Sequence, residues 1–146
     1  MTQNEKDILL KDLCARLPYG VKVRYSSYEK FITCTLQAID YVYNNVDLWS
    51  KDACFNPVNI SKIKPYLFPL SSMTNELWDK EFMGCGITEF TRDSFKYGCE
   101  TLDFSRSNPN LSSMVRFINQ LIKNHFDIYG LIPMGLAIDA TGLNIY

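Results

Sequence analysis

The residue types that could support catalysis are a cysteine between two glycines and the only histidine of this chain. Gly84 and Gly86 flank Cys85, and Asp127 follows two residues after His125. A thiol, an imidazole and an orienting carboxylate are the groups of a Cys-dependent hydrolase. However, no nucleophile-elbow pattern surrounds this cysteine, and the two glycines are also typical of a helix end. A Cys-dependent hydrolase is therefore a distant third hypothesis, and we predict no catalytic residue.

The cysteines as a set favour packing roles over metal or disulfide chemistry. They are odd in number, lie 20, 20, 31 and 14 residues apart, and include no Cys-x-x-Cys pair. We predict no metal site and no cofactor, and we expect all five thiols to be reduced: Cys14, Cys34, Cys54, Cys85 and Cys99. For His125 we expect a structural role, hydrogen bonding to the last carbonyls of a helix.

Basic and aromatic residues alternate in the region after the first helix. Such a face can stack single-stranded bases while its cations contact phosphates. The candidate face for nucleic acid consists of Lys22, Arg24, Tyr25, Tyr28 and Lys30, close to Phe31. Glu29, Asp40 and Asp47 lie in the same region of sequence and oppose its positive field. Nucleic-acid binding is therefore the alternative hypothesis, and a solvated sheet face is the simpler interpretation.

Composition excludes several classes of function. The net charge is −1, hydrophobic residues make up 47% of the chain and aromatic residues 14%, which is typical of a globular protein. No segment concentrates positive charge as duplex-binding proteins do, and no Gly-rich nucleotide-phosphate motif occurs. We also find no signal-peptide pattern and no apolar run approaching the ~18 residues of a membrane span. We therefore expect a cytoplasmic protein with no membrane contact.

The hydrophobic pattern predicts an α+β fold, formed by one domain over residues 1–146. A helix is expected over residues 3–17, with Asp12 outside its apolar stripe. Alternation at 21–25 predicts a strand with Val21, Val23 and Tyr25 inward and the lysine and arginine between them outward. A second strand over 31–43 should turn at Asn44-Asn45 into a third over 46–49, with a bulge near 37–39. We predict a small, strongly bent antiparallel sheet or partial barrel, packed with the first and last helices.

The second half of the chain is interrupted by prolines and glycines. Residues 52–57 are expected to form a loop, and residues 60–73 a short helical turn followed by an extended stretch on the core. Thr74 should cap a helix that ends near residue 83, and Ser112 or Ser113 should cap the last helix. Within 87–104 we expect irregular strands or a hairpin. Inward positions of the last helix are predicted to be Val115, Ile118, Leu121 and Ile122. The apolar segment after it should belong to the core.

Three patches of sequence resemble a known family. They are KDLCARLPYGVKV at 11–23, IKPYLFPLSSMT at 63–74 and HFDIYGLIPMGLA at 125–137. Together they resemble a family of small uncharacterised proteins encoded in prophages and mobile elements of gut anaerobic bacteria. That family has no established activity, so the resemblance implies a bacterial or phage cytoplasmic setting and assigns no functional residue. We therefore expect a non-enzymatic accessory or protein-interaction protein, which acts on an unknown protein partner.

Overall fold

The computed structural model describes residues 1–27, 30–85 and 110–146 of the chain. These residues fall into two compact units. The first consists of Met1–Leu67 with Leu131–Tyr146, and the second of Phe68–Gly130. The expectation of one domain over residues 1–146 stays a prediction.

Helix α1, Gln3–Arg16, confirms the helix that we predicted over residues 3–17. Thr2 and Glu5 form a capping box, in which each side chain accepts a hydrogen bond from the other's backbone N–H at 3.3 and 2.6 Å. This arrangement satisfies two of the free donors at the start of a helix. Further along, Leu9, Leu10 and Leu13 are completely buried.

One turn of α1 buries an ion pair that the apolar pattern did not predict. Arg16 donates from Nε and Nη2 to the two carboxylate oxygens of Asp12, both at 2.8 Å. The exposed fractions of the two side chains are only 0% and 1%. Residues three or four positions apart on a helix lie on the same face. Asp12 follows Leu9 by three positions and Arg16 follows Leu13 by three, so the ion pair lies beside the leucines rather than opposite them. Arginine can be buried here because its charge is matched in a bidentate geometry.

Six strands of the described residues form one sheet in the first unit, with the order β4-β3-β2-β1-β5-β6. They are β1 Lys22–Ser26, β2 Phe31–Asp40, β3 Asn45–Trp49, β4 Cys54–Asn59, β5 Ile63–Leu67 and β6 Ile138–Asp139. All neighbours are antiparallel except β5 and β6, which are parallel. The sheet is not closed, because β4 and β6 remain its edges. Together with α1 and the last helix, it confirms the α+β prediction.

The sheet is strongly bent, as we predicted. In β2 the register shifts between Leu36 and Ala38, which leaves Gln37 as the extra residue of a bulge in the expected place. The rings of Tyr25 on β1 and Phe55 on β4 lie 5.0 Å apart between centroids. Two strands separate β1 from β4, so in a flat sheet these strands would lie roughly 14 Å apart. The ring contact therefore requires the sheet to curl towards its buried face.

Two local expectations in this unit were wrong. Residues 54–57, predicted as loop, begin strand β4, which tolerates Pro57 because an edge strand can lack one N–H donor. The turn after β2 lies at residues 41–44 rather than at Asn44-Asn45, since Asp40 pairs directly with Asn45. In both cases pairing between strands overrode the local preference of the residues.

Residues 60–67 and the segment after residue 130 complete the first unit. A single 3-10 turn, Ile60–Lys62, precedes β5, as predicted for the start of the 60–73 stretch. The later segment adds β6 beside β5 and buries Leu131 and Leu136. The prediction that this segment belongs to a core is therefore confirmed.

The second unit contains helices α2, Asn75–Glu81, and α3, Leu111–Lys123. Thr74 caps α2 as predicted, whereas Asn110 rather than Ser112 or Ser113 caps α3, by accepting from the backbone of Ser113 at 2.9 Å. Their apolar cluster consists of Leu70, Met73, Trp78, Phe82, Cys85, Phe117, Leu121 and Phe126.

The predicted inward face of α3 needs one correction. Val115 is exposed, and Phe117 is the buried residue of that turn, beside Leu121 and Ile122. Ile118 packs against the cluster from a partly buried position. The strands or hairpin predicted within 87–104 lie outside the described residues.

The buried ion pair leads to a stability prediction. Asp12→Ala should leave the Arg16 charge buried without its carboxylate and cost about 3–5 kcal/mol of unfolding free energy. The double substitution Asp12→Leu with Arg16→Met removes both charges and should recover at least half of that loss. Denaturant unfolding followed by circular dichroism measures both values. A single variant within about 1 kcal/mol of the unmodified protein would contradict this account of the pair.

Candidate functional site

Three consecutive apolar side chains of the first unit are exposed at the turn between β2 and β3. Tyr41, Val42 and Tyr43 are 64%, 78% and 72% exposed, and we call these three residues the hairpin tip. Three consecutive apolar side chains on the surface are unusual unless they bind something.

Hydrogen bonds fix the backbone of the hairpin tip. Asp40 Oδ1 accepts from the backbone N–H of Val42 at 3.0 Å and of Tyr43 at 3.2 Å. Asn44 takes a left-handed conformation with φ 53°, which asparagine tolerates better than most residues. Its carbonyl accepts from the backbone N–H of the buried Ile60 at 3.0 Å. The tip is therefore a preformed turn that is tied to the sheet on both sides.

A second surface lies on the side of the sheet opposite to Val23, Cys34 and Leu36. The buried Tyr66 of β5 also lies on this side, with its hydroxyl 3.3 Å from Thr33 Oγ1. Strand pairing places Lys64, Arg24 and Thr33 in one cross-strand row. The next row contains Lys22, Thr35 and Trp49, and Ser26 pairs with Phe31 in a third. We call this surface the open face and define it as Lys22, Arg24, Phe31, Thr33, Thr35, Trp49 and Lys64.

Two cations of the open face are held in place by other side chains of the same face. Arg24 lies over the ring of Phe31, with 4.6 Å from its Cζ to the ring centroid. Lys22 Nζ donates to Thr35 Oγ1 at 2.7 Å. The Phe31 and Trp49 side chains are 71% and 48% exposed, so neither serves mainly as core. The open face thus combines positioned cations with accessible aromatic rings.

The structure brings together some, but not all, of the residues predicted to form a nucleic-acid face. Lys22 and Arg24 share the open face, and Lys30 is exposed in the connection that follows β1. Tyr25 points to the other side, where it contacts Phe55, because side chains alternate along a strand. Tyr28 lies outside the described residues. Whether these residues bind nucleic acid stays a prediction.

Of the three acidic residues that argued against this face, Asp40 and Asp47 lie away from its cations, and Glu29 lies outside the described residues. Asp47 pairs with Ala38 and Asp40 with Asn45, further along β2 towards the hairpin tip. Among the residues that the structure describes, no aspartate or glutamate occupies the three cross-strand rows of the open face.

Cys85 is buried in the apolar cluster of the second unit, with Trp78, Phe82 and Phe117. Burial raises the pKa of its thiol, and Arg116 only partly opposes this shift. A cysteine nucleophile needs the opposite shift, because the thiolate is the reactive form. The environment of Cys85 therefore favours the packing role over the hydrolase hypothesis.

His125 ends helix α3 through its backbone. It has φ 61°, and its N–H donates to the carbonyl of Ile122 at 3.0 Å, while the N–H of Phe126 donates to Leu121 at 2.9 Å. These two bonds form a Schellman motif, in which glycine is the usual left-handed residue. His125 therefore lies at the helix end as expected, but its main chain makes these bonds, and a bond from its side chain to the last carbonyls stays a prediction.

The four described cysteines are free thiols. Cys34 and Cys85 are buried, whereas Cys14 and Cys54 are exposed, so the packing role expected for all five was wrong for these two. Cys99 lies outside the described residues. Within 1–27, 30–85 and 110–146, no three His, Cys, Asp or Glu side chains are grouped as metal ligands. No helix in this part of the chain is long and apolar enough to cross a bilayer.

Sequence reasoning did not single out the hairpin tip or the contributions of Trp49 and Lys64 to the open face. The signal for the tip was Asp40 followed by Asn44, since Asp and Asn favour side-chain-bonded turns and left-handed backbone. The signal for Lys64 was weaker, because only the pairing of β5 with β1 places it beside Arg24.

Tyr146 connects two strands next to the open face. Its hydroxyl donates to the carbonyl of Tyr66 at 2.7 Å and accepts from the backbone N–H of Lys22 at 3.3 Å. The ring is partly exposed, but burial of the hydroxyl raises its pKa to about 12, and the bond from Lys22 only partly offsets this effect. The hydroxyl thus relays a hydrogen bond from β1 to β5.

We predict that Tyr146 stabilises the protein in a pH-dependent way. Since the folded pKa is raised, the unfolded chain loses this proton first, and its contribution should disappear as pH rises from about 10 to about 12. Tyr146→Phe should lower the unfolding free energy by about 1 kcal/mol at pH 8. The difference between the two proteins should shrink across this pH range. A difference that stays constant up to pH 12 would contradict the role of the hydroxyl.

Comparison of the chain with protein-family models, curated proteins and solved structures found no match.

Proposed function

We propose that this protein is a non-enzymatic interaction protein, which binds a protein partner through the hairpin tip. The observation that carries the proposal is the exposure of Tyr41, Val42 and Tyr43 on a turn that Asp40 holds in place. Tyrosine gives a large contact area at a small cost in conformational entropy, and such residues dominate binding energy at protein interfaces. The bacterial or phage cytoplasmic setting rests on the sequence resemblance alone.

The rigidity of the tip supports a specific contact rather than general stickiness. Binding costs free energy whenever side chains or loops must be ordered, and a preformed turn reduces this cost. The tip also projects from the end of a hairpin, a shape that suits insertion into an apolar pocket on a partner. An interface with a buried aromatic anchor and a polar rim has this organisation.

The central test removes the apolar side chains of the tip. Tyr41→Ser, Val42→Ser and Tyr43→Ser together should weaken capture of the partner at least tenfold, since each anchor is worth about 2 kcal/mol or more. Purified tagged protein is incubated with an extract of cells that encode it, and bound proteins are quantified by mass spectrometry. Stability should stay within about 0.5 kcal/mol because the tip is exposed.

The matched control for this experiment lies on helix α3. Leu111→Ser with Val115→Ser removes two other exposed apolar side chains and should leave capture unchanged. Nuclease treatment of the extract should have no effect on a direct protein contact. Captured proteins that the unmodified chain, the tip variant and the control variant bind equally well do not bind at the tip. If all captured proteins are of this kind, the proposal fails.

A finer prediction concerns the turn itself. Asp40→Ala removes the acceptor for the N–H groups of Val42 and Tyr43, so partner binding should weaken about twofold to tenfold through the cost of ordering the loop. Asp40→Asn keeps an acceptor oxygen and should bind almost normally. Titration calorimetry with the purified partner compares the two. Equal affinities for both variants would show that turn rigidity plays no part.

A further inference from the structure

We infer that the open face is a binding site for single-stranded nucleic acid. Its three cations would contact phosphates and its two exposed rings would stack on bases. This inference does not rest on the hairpin tip, and it concerns a different surface of the first unit. The residues involved are Lys22, Arg24 and Lys64 for phosphates, and Phe31 and Trp49 for bases.

The first argument is a repulsion built into the sheet. Arg24 on β1 and Lys64 on β5 are directly opposite in register, so their Cβ atoms lie roughly 5 Å apart. Like charges in this position destabilise a sheet, although the Arg24 guanidinium lies over Phe31 of β2, on the side of β1 away from Lys64. Lys22 adds a third cation on the same face, one row further along. A bound phosphate chain would relieve this repulsion.

The second argument concerns the aromatic rings. Phe31 is mostly exposed, and Arg24 covers only part of it. Trp49 lies in the same row as Lys22, separated from it by Thr35. Cations beside accessible rings allow bases to stack while their phosphates are neutralised, which is how sequence-tolerant single-strand binders work.

The nature of the rings distinguishes single strands from duplexes. Exposed rings can stack only on bases that are not already stacked in a helix, and three cations are too few for tight duplex binding through phosphates alone. With a net charge of −1, the chain as a whole offers no general attraction for polyanions. The local chemistry therefore favours a short single-stranded ligand.

The test is a titration of a fluorescein-labelled oligothymidylate of about 15 nucleotides, followed by anisotropy. With three phosphate contacts, Kd should rise about fifteenfold to twentyfold between about 50 mM and about 200 mM salt. Arg24→Gln with Lys64→Gln should weaken binding and reduce this salt effect to about threefold. Phe31→Ala with Trp49→Ala should weaken binding about tenfold or more and leave the salt effect unchanged.

Two further measurements keep the test specific. Lys80→Gln with Lys123→Gln removes the same charge from the second unit and should bind like the unmodified protein. An unlabelled duplex of the same length and polyglutamate are tested separately as competitors. Each should displace the labelled oligonucleotide at least tenfold less effectively than an unlabelled single strand does.

Several results would overturn the inference. These are no binding at about 50 mM salt, affinity that neither pair of open-face variants reduces, or displacement by duplex as effective as by single strand. Equal displacement by polyglutamate, without an effect of the aromatic substitutions, would instead assign the face to an acidic polypeptide. Circular dichroism of each variant confirms that the fold is retained. None of these results bears on the hairpin tip, so the two proposals can fail separately.

Discussion

Both exposed surfaces of the first unit depend on one extra residue in strand β2. Leu36 pairs with Leu48 and Ile39 pairs with Val46, and these two partners lie on the same side of β3. Leu36 and Ile39 must therefore face the same core, although they are three residues apart. A regular strand would send them to opposite faces. The bulge at Gln37 resolves this conflict and bends the strand. Because of it, the first half of β2 supports the open face, and the second half delivers the chain to the hairpin tip.

The two surfaces share an energetic character, since each departs from what stability alone would favour. A cross-strand pair of cations and three exposed apolar residues in a row both cost free energy in the isolated protein. Elsewhere in the unit, polar and charged groups are paired as stability requires: α1 begins with a capping box, and the buried charges of Asp12 and Arg16 are matched. Local violations within an otherwise consistent fold are typical of binding sites. This contrast is why we propose a binding function for these two places.

The sequence predicted those elements whose signals are local: helix α1, strand β1, the bulge near Gln37 and the cap at Thr74. It failed where long-range pairing decides the outcome. Pro57 suggested a loop, but pairing with β3 makes its segment an edge strand. The pairing of β5 with β1 likewise depends on the folded sheet and not on the local sequence. The face on which Tyr25 lies followed from alternation, whereas its contact with Phe55 depends on curvature. Hence the sequence identified part of the open face, while the tip emerged only from the structure.

The measurement that tests the central claim most directly is site-specific photocrosslinking in cells that encode this protein. A photoreactive benzophenone amino acid replaces Val42 in one version and Leu111 in another, two side chains that are 78% and 77% exposed. Our account predicts one discrete protein adduct from position 42, which is absent at position 111 and lost when Tyr41 and Tyr43 are changed to serine. No adduct at position 42, or the same adducts at both positions, would contradict the claim that the hairpin tip binds a protein partner.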